Sequence, residues 1–179
     1  MRSKIFLAIL LLTPLLVLLV STLSFQSGNS HKYTTNNGIF FNEYFDATDL
    51  SLIDGQENLK FEDGKWLFAT YASEYAELED ALYLMRQLNV ALNRDINKLK
   101  RAVVIRDMKI LEDQLIDYPR TQAIIDAEGK LYEKLLDASN ESFFLEQKIF
   151  IIDPYGRAVM FFPVSMDPKL ILKDLKVLI

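Results

Sequence analysis

An uninterrupted apolar stretch near the N-terminus constrains the fold more than any other feature. Residues 5–23 read IFLAILLLTPLLVLLVSTL and carry no charge. Roughly 20 such residues span the hydrocarbon core of a bilayer as a helix, in which Pro14 is tolerated. We therefore predict a single-pass transmembrane anchor over residues 1–25. Because Arg2 and Lys4 precede the stretch and basic flanks stay in the cytoplasm, we expect an inner (plasma) membrane protein whose C-terminal domain is periplasmic.

Two other interpretations of this stretch remain open. A cleaved signal peptide has an apolar core of about 7–15 residues and ends at a small-x-small site. The core here is longer, and the sequence STLSFQSG that follows the core has no Ala-x-Ala. A buried helix of a globular domain is the third alternative, although such a helix normally has a polar face.

The composition excludes several classes of chemistry. The chain has 179 residues, half of them hydrophobic, which is enough for one core without disulfides. It has no Cys, so thiol exchange and thiolate metal ligands are excluded. A single His, His31, rules out a Ser-His-Asp triad within the domain. Outside the anchor, 18 basic residues stand against 25 acidic ones, which argues against nucleic acid as a partner.

A polar linker and one α/β domain follow the anchor. Residues 26–46 begin with the polar sequence QSGNSHKYTTNNG and are predicted to form the linker. Its end, GIFFNEYF, has two open interpretations: an interfacial segment on the membrane surface, or an edge segment packed on the domain. The aromatic residues concerned are Phe40, Phe41, Tyr44 and Phe45. Residues 47–179 are predicted to form the domain.

The apolar pattern of the domain predicts alternating strands and helices. Short apolar runs indicate strands at residues 49–53, 66–71, 102–105, 148–152 and 158–162, the last two joined by a tight turn at residues 153–156. Helical spacing indicates helices at residues 73–100, broken near Asn93, at 121–138, broken or capped at Gly129, and after Asp167, with Leu170, Ile171, Leu175 and Leu178 on the buried face. A helix between the first two core strands makes them parallel. The predicted fold class is α/β, a thioredoxin-like mixed sheet with flanking helices preceded by one transmembrane helix.

Several segments of this domain carry a more specific pattern. They are GKWLF at residues 64–68, ALYLMRQLNVAL at 81–92, IIDPYGRAVMFFP at 151–163 and DPKLILKDLK at 167–176. With these segments the chain resembles a group of small membrane-anchored proteobacterial proteins related to the thioredoxin-like Sco/SenC proteins of cytochrome c oxidase assembly. The resemblance covers roughly residue 50 to the C-terminus and implies a fold, a location and a pathway.

The residues that carry chemistry in Sco-type proteins are replaced here. Those proteins have Cys-x-x-x-Cys where the first core strand meets the first helix, and a His before the third core strand; these groups hold copper or exchange thiols. By the resemblance, the Cys positions fall on Glu74 and Leu78, and the His falls within residues 144–147. None of these is a soft ligand. We expect no catalytic residue, no cofactor and no metal ligand.

The remaining candidate residues each have a simpler interpretation. Acidic side chains at a helix start favour the helix dipole, although a carboxylate metal site near Glu74 and Glu77 is the alternative. His31 has no neighbouring ligand. Aromatic residues fill a core or line a partner surface. The residues concerned are Glu74, Glu77, Glu79 and Asp80 for the metal site; Asp107, Glu112, Asp113 and Asp117 for acid-base chemistry; Trp66, Phe68 and Tyr71 for a groove; and Phe143, Phe144, Phe161, Phe162 and Pro163 for a partner surface.

The combined pattern favours a non-enzymatic, membrane-anchored accessory that binds a respiratory-oxidase subunit or assembly factor. A metal carrier or enzyme with a carboxylate-based site near Glu74 and Glu77 is the first alternative. A structural membrane-associated protein, acting through the aromatic residues around Tyr44, is the second.

Overall fold

The chain folds as two units. The computed structural model describes residues 2–26, 36–72, 78–106, 115–140 and 142–179. The units are Met1–Thr35 and Asn36–Ile179. The first contains helix α1 (Arg2–Gln26), whose described side chains, residues 10–23, are all exposed. Within the described ranges, no helix has both the length and the apolar character needed to cross a membrane.

The second unit is built on a mixed β-sheet. Its described strands are β1 (Ile39–Phe40), β2 (Leu52–Asp54), β3 (Glu57–Asn58), β4 (Trp66–Tyr71), β5 (Leu99–Ile105), β6 (Thr121–Asp126), β7 (Lys148–Ile152) and β8 (Ala158–Pro163). They lie side by side in the order β1-β8-β7-β4-β5-β6-β2-β3. Strands β4, β5 and β6 are parallel, whereas β7 runs antiparallel to β4. The carboxyl ends of three strands and the start of β7 therefore meet at one edge.

Helices cover both faces of the sheet. They are α2 (Leu78–Ala91), α3 (Lys130–Ala138) and α4 (Pro168–Leu178), with 3-10 helices at Asn93–Lys98 and Phe143–Leu145. Because successive strand residues point to opposite faces, Phe68 of β4 packs with α2 and α4, while its neighbours Leu67 and Ala69 pack with α3. This arrangement confirms the predicted mixed sheet with flanking helices.

The predicted hairpin and final helix cap are present. The amide of Gly156 donates to the carbonyl of Asp153 at 3.0 Å, and Gly156 has φ +93°, which favours glycine. The side chain of Asp167 accepts from the amide of Lys169 at 2.9 Å, one residue after Pro168. On α4, Ile171 and Leu175 are buried as predicted. The prediction was wrong for Leu170, which is 40% exposed, and Leu178 is only half-buried.

Two predicted helices are corrected by the structure. Residues 121–126 form strand β6, parallel to β5, and only Lys130–Ala138 is helical. A short apolar run is ambiguous between helix and strand, and pairing with β5 decides it here. The helix predicted over residues 73–100 ends at Ala91; Asn93 has φ +54°, and Leu99 already belongs to β5. Residues 73–77 lie outside the described part of the chain.

The aromatic segment before the domain is an edge segment of the sheet. Strand β1 pairs with β8, placing Ile39 opposite Phe161. Phe41 and Phe45 are buried in the core, whereas Tyr44 is 65% exposed. The structure therefore agrees with the second interpretation of GIFFNEYF, an edge segment packed on the domain.

Candidate functional site

The candidate site lies where β4, β5 and β6 end and β7 begins. In open α/β sheets, ligands bind at the carboxyl ends of the parallel strands. Tyr71 ends β4, Arg106 follows β5, Asp126 ends β6 and Gln147 precedes β7. We call these positions, together with the segment 142–147, the carboxyl edge.

Leu78, where the resemblance places the second Cys, is a core residue. Its side chain is completely buried and packs with Leu82, Val103, Ile105 and Tyr118. An alkyl side chain in this cluster has no lone pair to offer a metal and no thiol to exchange. Glu74, where the resemblance places the first Cys, lies outside the described residues.

The segment that precedes β7 carries no metal ligand of the Sco type. The side-chain amide of Gln147 donates to the hydroxyl of Thr70, and to the carbonyl of Tyr71 at 3.2 Å. The ring of Phe144 stacks on Tyr132 with centroids 4.2 Å apart and meets Tyr71 edge-on at 5.6 Å. Hydrogen bonds and aromatic packing thus attach this segment to the end of β4.

A buried lysine, Lys148, donates hydrogen bonds to the backbone of the same segment. The Lys148 ammonium donates to the carbonyls of Ser142 at 2.6 Å and Phe143 at 2.9 Å, and lies 3.8 Å from a carboxylate oxygen of Glu146. Burial lowers the pKa of Lys148, and Glu146 partly opposes this shift. Two carbonyls and one carboxylate thus surround the cation, which ties residues 142 and 143 to the start of β7.

A hydrogen bond between Tyr71 and Asp126 joins the carboxyl ends of β4 and β6. The Tyr71 hydroxyl donates to Asp126 Oδ2 at 3.2 Å, and the Tyr132 amide donates to the same oxygen at 3.0 Å. The guanidinium of Arg106 lies 4.8 Å from the centroid of the Tyr132 ring. Burial raises the pKa of Tyr71 above its usual value, and the Asp126 carboxylate raises it further. This phenol is therefore held in its neutral, donating form.

Replacing Tyr71 with phenylalanine is expected to lower the free energy of unfolding by about 1–2 kcal/mol, since the hydrogen bond to a charged acceptor is lost. The effect depends on pH because the pKa of Tyr71 is raised in the folded state. The advantage of Tyr71 is fully present below about pH 10, where unfolded tyrosine keeps its proton, and shrinks at higher pH. Urea unfolding of the wild type and the variant at pH 8 and pH 10.5 measures this difference in the free energy of unfolding. A difference that grows with pH would contradict the assignment.

A cleft opens beside the carboxyl edge. It has a volume of about 420 Å³, which is in the range of sites for small ligands or single side chains. Its lining combines two carboxylates with short polar and apolar side chains: Asp80, Leu84, Glu146, Gln147, Val164 and Ser165. The Ser165 hydroxyl donates to Glu146 Oε2 at 3.2 Å. We call this feature the α2 cleft.

The other predicted site residues that the structure describes do not converge on a second centre. Glu79 and Asp80 are exposed in the first turn of α2, and Asp117 is exposed. Among the described residues, no group of three His, Asp or Glu side chains is arranged to hold a metal ion. The remaining candidates lie outside the described ranges: His31, Glu74, Glu77, Asp107, Glu112 and Asp113.

The aromatic candidates belong mainly to the core. Phe68, Phe143 and Phe162 are at most 2% exposed, and Tyr71 and Phe161 are also buried. Trp66, Phe144 and Pro163 are half-buried. Sequence reasoning missed Asp126 and Lys148, because no local pattern distinguishes a buried charge from a solvated one. It also missed Ser165, since a single exposed serine belongs to no motif.

The match to a family model decides the relationship. Residues 68–179 match the family described as transmembrane-like, thioredoxin-like, C-terminal domain. The chain belongs to this family. The match begins within β4 and covers the carboxyl edge, the α2 cleft and α4. No curated protein sequence matches the chain significantly.

Solved structures show that this family member has the fold of Sco proteins. Apo Sco1 from Thermus thermophilus has a TM-score of 0.58 at 13% identity, covering 83% of this chain and 99% of that one. Copper-bound ScoI from Bradyrhizobium japonicum has a TM-score of 0.52 at 14% identity, covering 79% and 99%. BsSco, a member of the Sco family of cytochrome c oxidase assembly proteins, has a TM-score of 0.53 at 12% identity, covering 79% and 95%.

The family assignment confirms the predicted thioredoxin-like fold, and the solved structures show that Sco proteins share this fold. It also sharpens the difference from them. This transmembrane-like, thioredoxin-like chain has no Cys anywhere in its sequence, so a Cys-x-x-x-Cys motif is absent. Leu78, which the resemblance assigns to the second Cys position, is part of the core.

Proposed function

We propose that this protein is a non-catalytic, membrane-anchored accessory that binds a protein partner in cytochrome c oxidase assembly. The observation that carries the proposal is the contrast at the carboxyl edge. The position where the resemblance places a Sco thiol holds the buried Leu78, whereas the α2 cleft lies open at Asp80 and Gln147. A fold that has lost its thiols while keeping a cleft is suited to recognition rather than transfer.

The chemistry of the α2 cleft indicates how a partner is recognised. Asp80 and Glu146 place two carboxylates on its walls, and Leu84 and Val164 supply apolar surface. This combination suits the side chain of a lysine or arginine, whose aliphatic stem packs while its cation pairs. The exposed side chain of Leu145, next to Glu146, extends the apolar part of the surface.

The membrane anchor of the proposal rests on the N-terminal sequence. Residues 5–23 carry no charge, and the described side chains of α1 are exposed, among them ten of Leu or Val: Leu10, Leu11, Leu12, Leu15, Leu16, Val17, Leu18, Leu19, Val20 and Leu23. An apolar surface of this kind requires a covering, and a bilayer is the simplest one. Arg2 and Lys4 favour a cytoplasmic N-terminus and a periplasmic domain.

Co-purification tests the proposal. The full chain, tagged at its N-terminus, is expected to recover an oxidase subunit or assembly factor from detergent-solubilised membranes, measured by quantitative mass spectrometry. Failure to recover any oxidase component from the wild-type chain would remove the proposed pathway.

A pair of serine substitutions locates the binding surface. Ser165→Arg places a cation beside Glu146 and fills the α2 cleft, and we expect at least about a tenfold loss of recovered partner, equivalent to about 1.4 kcal/mol. Ser51→Arg introduces the same side chain at an exposed serine outside the cleft and is expected to leave recovery unchanged. Equal recovery with both variants would show that the partner binds elsewhere.

A further inference from the structure

Helix α4 has an outer face that is both basic and apolar. Apart from Pro168 at its first position, its exposed side chains are Lys169, Leu170, Lys173, Lys176 and Val177. Leu170 is 40% and Val177 is 75% exposed, while the acidic residue of the helix, Asp174, is buried. We call these five exposed residues the α4 face.

The charge of this face contrasts with the rest of the chain. Outside the anchor, acidic residues outnumber basic ones by seven, yet the α4 face carries three lysines and no acid. The exposed Asp167 caps the helix start, where its side chain is held by the amide of Lys169. A helix with exposed lysines and exposed apolar side chains is the pattern that binds anionic lipid surfaces.

The start of the second unit is fastened to this helix. The carboxylate of Asp174 accepts from the Asn37 amide at 2.6 Å, the Gly38 amide at 2.7 Å and the Asn37 side chain at 2.9 Å. A Cβ on Gly38 would collide with the ring of Phe162, so this segment also packs closely on β8. The chain that leads back to α1 therefore leaves the unit beside α4.

We infer that the α4 face rests on anionic lipid headgroups of the membrane in which the chain is anchored. The inference rests on the anchoring proposed above. Nine residues, 27–35, separate Asn36 from α1. Asn37 and Gly38, close to the start of the second unit, are bound to Asp174 of α4, so the connection to the anchor leaves the unit at this helix. The lysines supply attraction to phosphate, and Leu170 and Val177 enter the headgroup region.

The absence of Cys makes a direct test possible, since one introduced thiol can be labelled without background. Full-length Val177→Cys, carrying a polarity-sensitive fluorophore, is inserted into nanodiscs of phosphatidylcholine with or without phosphatidylglycerol. Quenching by the neutral molecule acrylamide is expected to fall about threefold in the anionic nanodiscs as the label enters the headgroup region. The control is Glu133→Cys on the exposed side of α3, on the opposite face of the sheet, where quenching is expected to stay the same.

A lysine variant tests the cause of the protection. Adding K169Q, K173Q and K176Q to the Val177→Cys chain is expected to shift the ratio of lipid-bound to free orientations by about a hundredfold, restoring quenching in anionic nanodiscs. Equal quenching of the Val177 label in both lipids would overturn the inference while leaving the anchor and the oxidase partner in place. A chain that does not co-elute with nanodiscs at all would overturn both the anchor and the inference. Circular dichroism verifies that each variant is folded.

Discussion

Replacing Phe143 with alanine is expected to lower the free energy of unfolding by about 3–5 kcal/mol, the range for large aromatic residues removed from a core. Phe143 is 2% exposed and lies at the centre of an aromatic cluster. Its ring centroid is 5.0 Å from that of Phe144, 5.5 Å from Phe161 and 5.8 Å from Phe150. Little room exists for these rings to move inward, so the substitution leaves a cavity.

The effect of Phe143 also extends to the carboxyl edge. The backbone carbonyl of Phe143 accepts from Lys148, and the Lys148 ammonium lies 5.9 Å from the ring centroid. Loss of the ring therefore loosens the segment 142–147 that forms part of the α2 cleft. Urea unfolding followed by circular dichroism, on the unit 36–179, measures the change in stability.

Leu145 provides a matched control in the same 3-10 turn. Its side chain is 83% exposed, so Leu145→Ala is expected to change the free energy of unfolding by less than about 0.5 kcal/mol. Similar effects for both substitutions would contradict the assignment of Phe143 to the core and of Leu145 to the surface.

Replacing Leu78 with asparagine is expected to cost about 4 kcal/mol or more, because buried apolar contacts are lost and an amide is desolvated without partners. Leu78 is completely buried among Leu82, Val103, Ile105 and Tyr118. The result bears on function, since it distinguishes a core position from a ligand position that still faces solvent. Thermal and urea unfolding of the variant give the measurement.

Leu78→Met is the control for this experiment. Methionine has a similar volume and no polar hydrogen, so a loss below about 1.5 kcal/mol is expected. If asparagine at residue 78 were tolerated as well as methionine, the position would be open to solvent. The difference from Sco proteins at this position would then be the missing thiol alone, and Leu78 would not be part of the core.

Local pattern was sufficient for the elements whose periodicity is unambiguous. Strand β4 has the predicted bounds because WLFATY is too apolar and too aromatic for a surface. The turn at Asp153–Gly156 follows from Pro and Gly at fixed positions. In contrast, residues 121–126 contain a short apolar run that fits either a helix or a strand. The register that pairs Val103 with Ala123 makes them a strand, and that register is a tertiary property.

The candidate site was accessible to sequence reasoning only in part. The resemblance to Sco proteins located Leu78 and the segment 144–147, and both lie at the carboxyl edge or beside it. No sequence pattern pointed to Asp126 as a site residue, because its hydrogen bond to Tyr71 joins residues that are 55 apart in the chain. The α2 cleft likewise combines α2 with segments from two distant turns.

By itself, the sequence determined that thiol chemistry is absent, because a residue type that is missing cannot be supplied by folding. It also determined the order of most strands and helices, since periodicity is encoded locally. Tertiary structure decided which polar groups are buried and what they hold. In the sequence, Asp174 is an ordinary acidic residue on a lysine-rich helix. In the structure, its carboxylate accepts a hydrogen bond from the amide of Asn37, which lies 137 residues away. Such pairings depend on the approach of distant segments, whose geometry no local pattern contains.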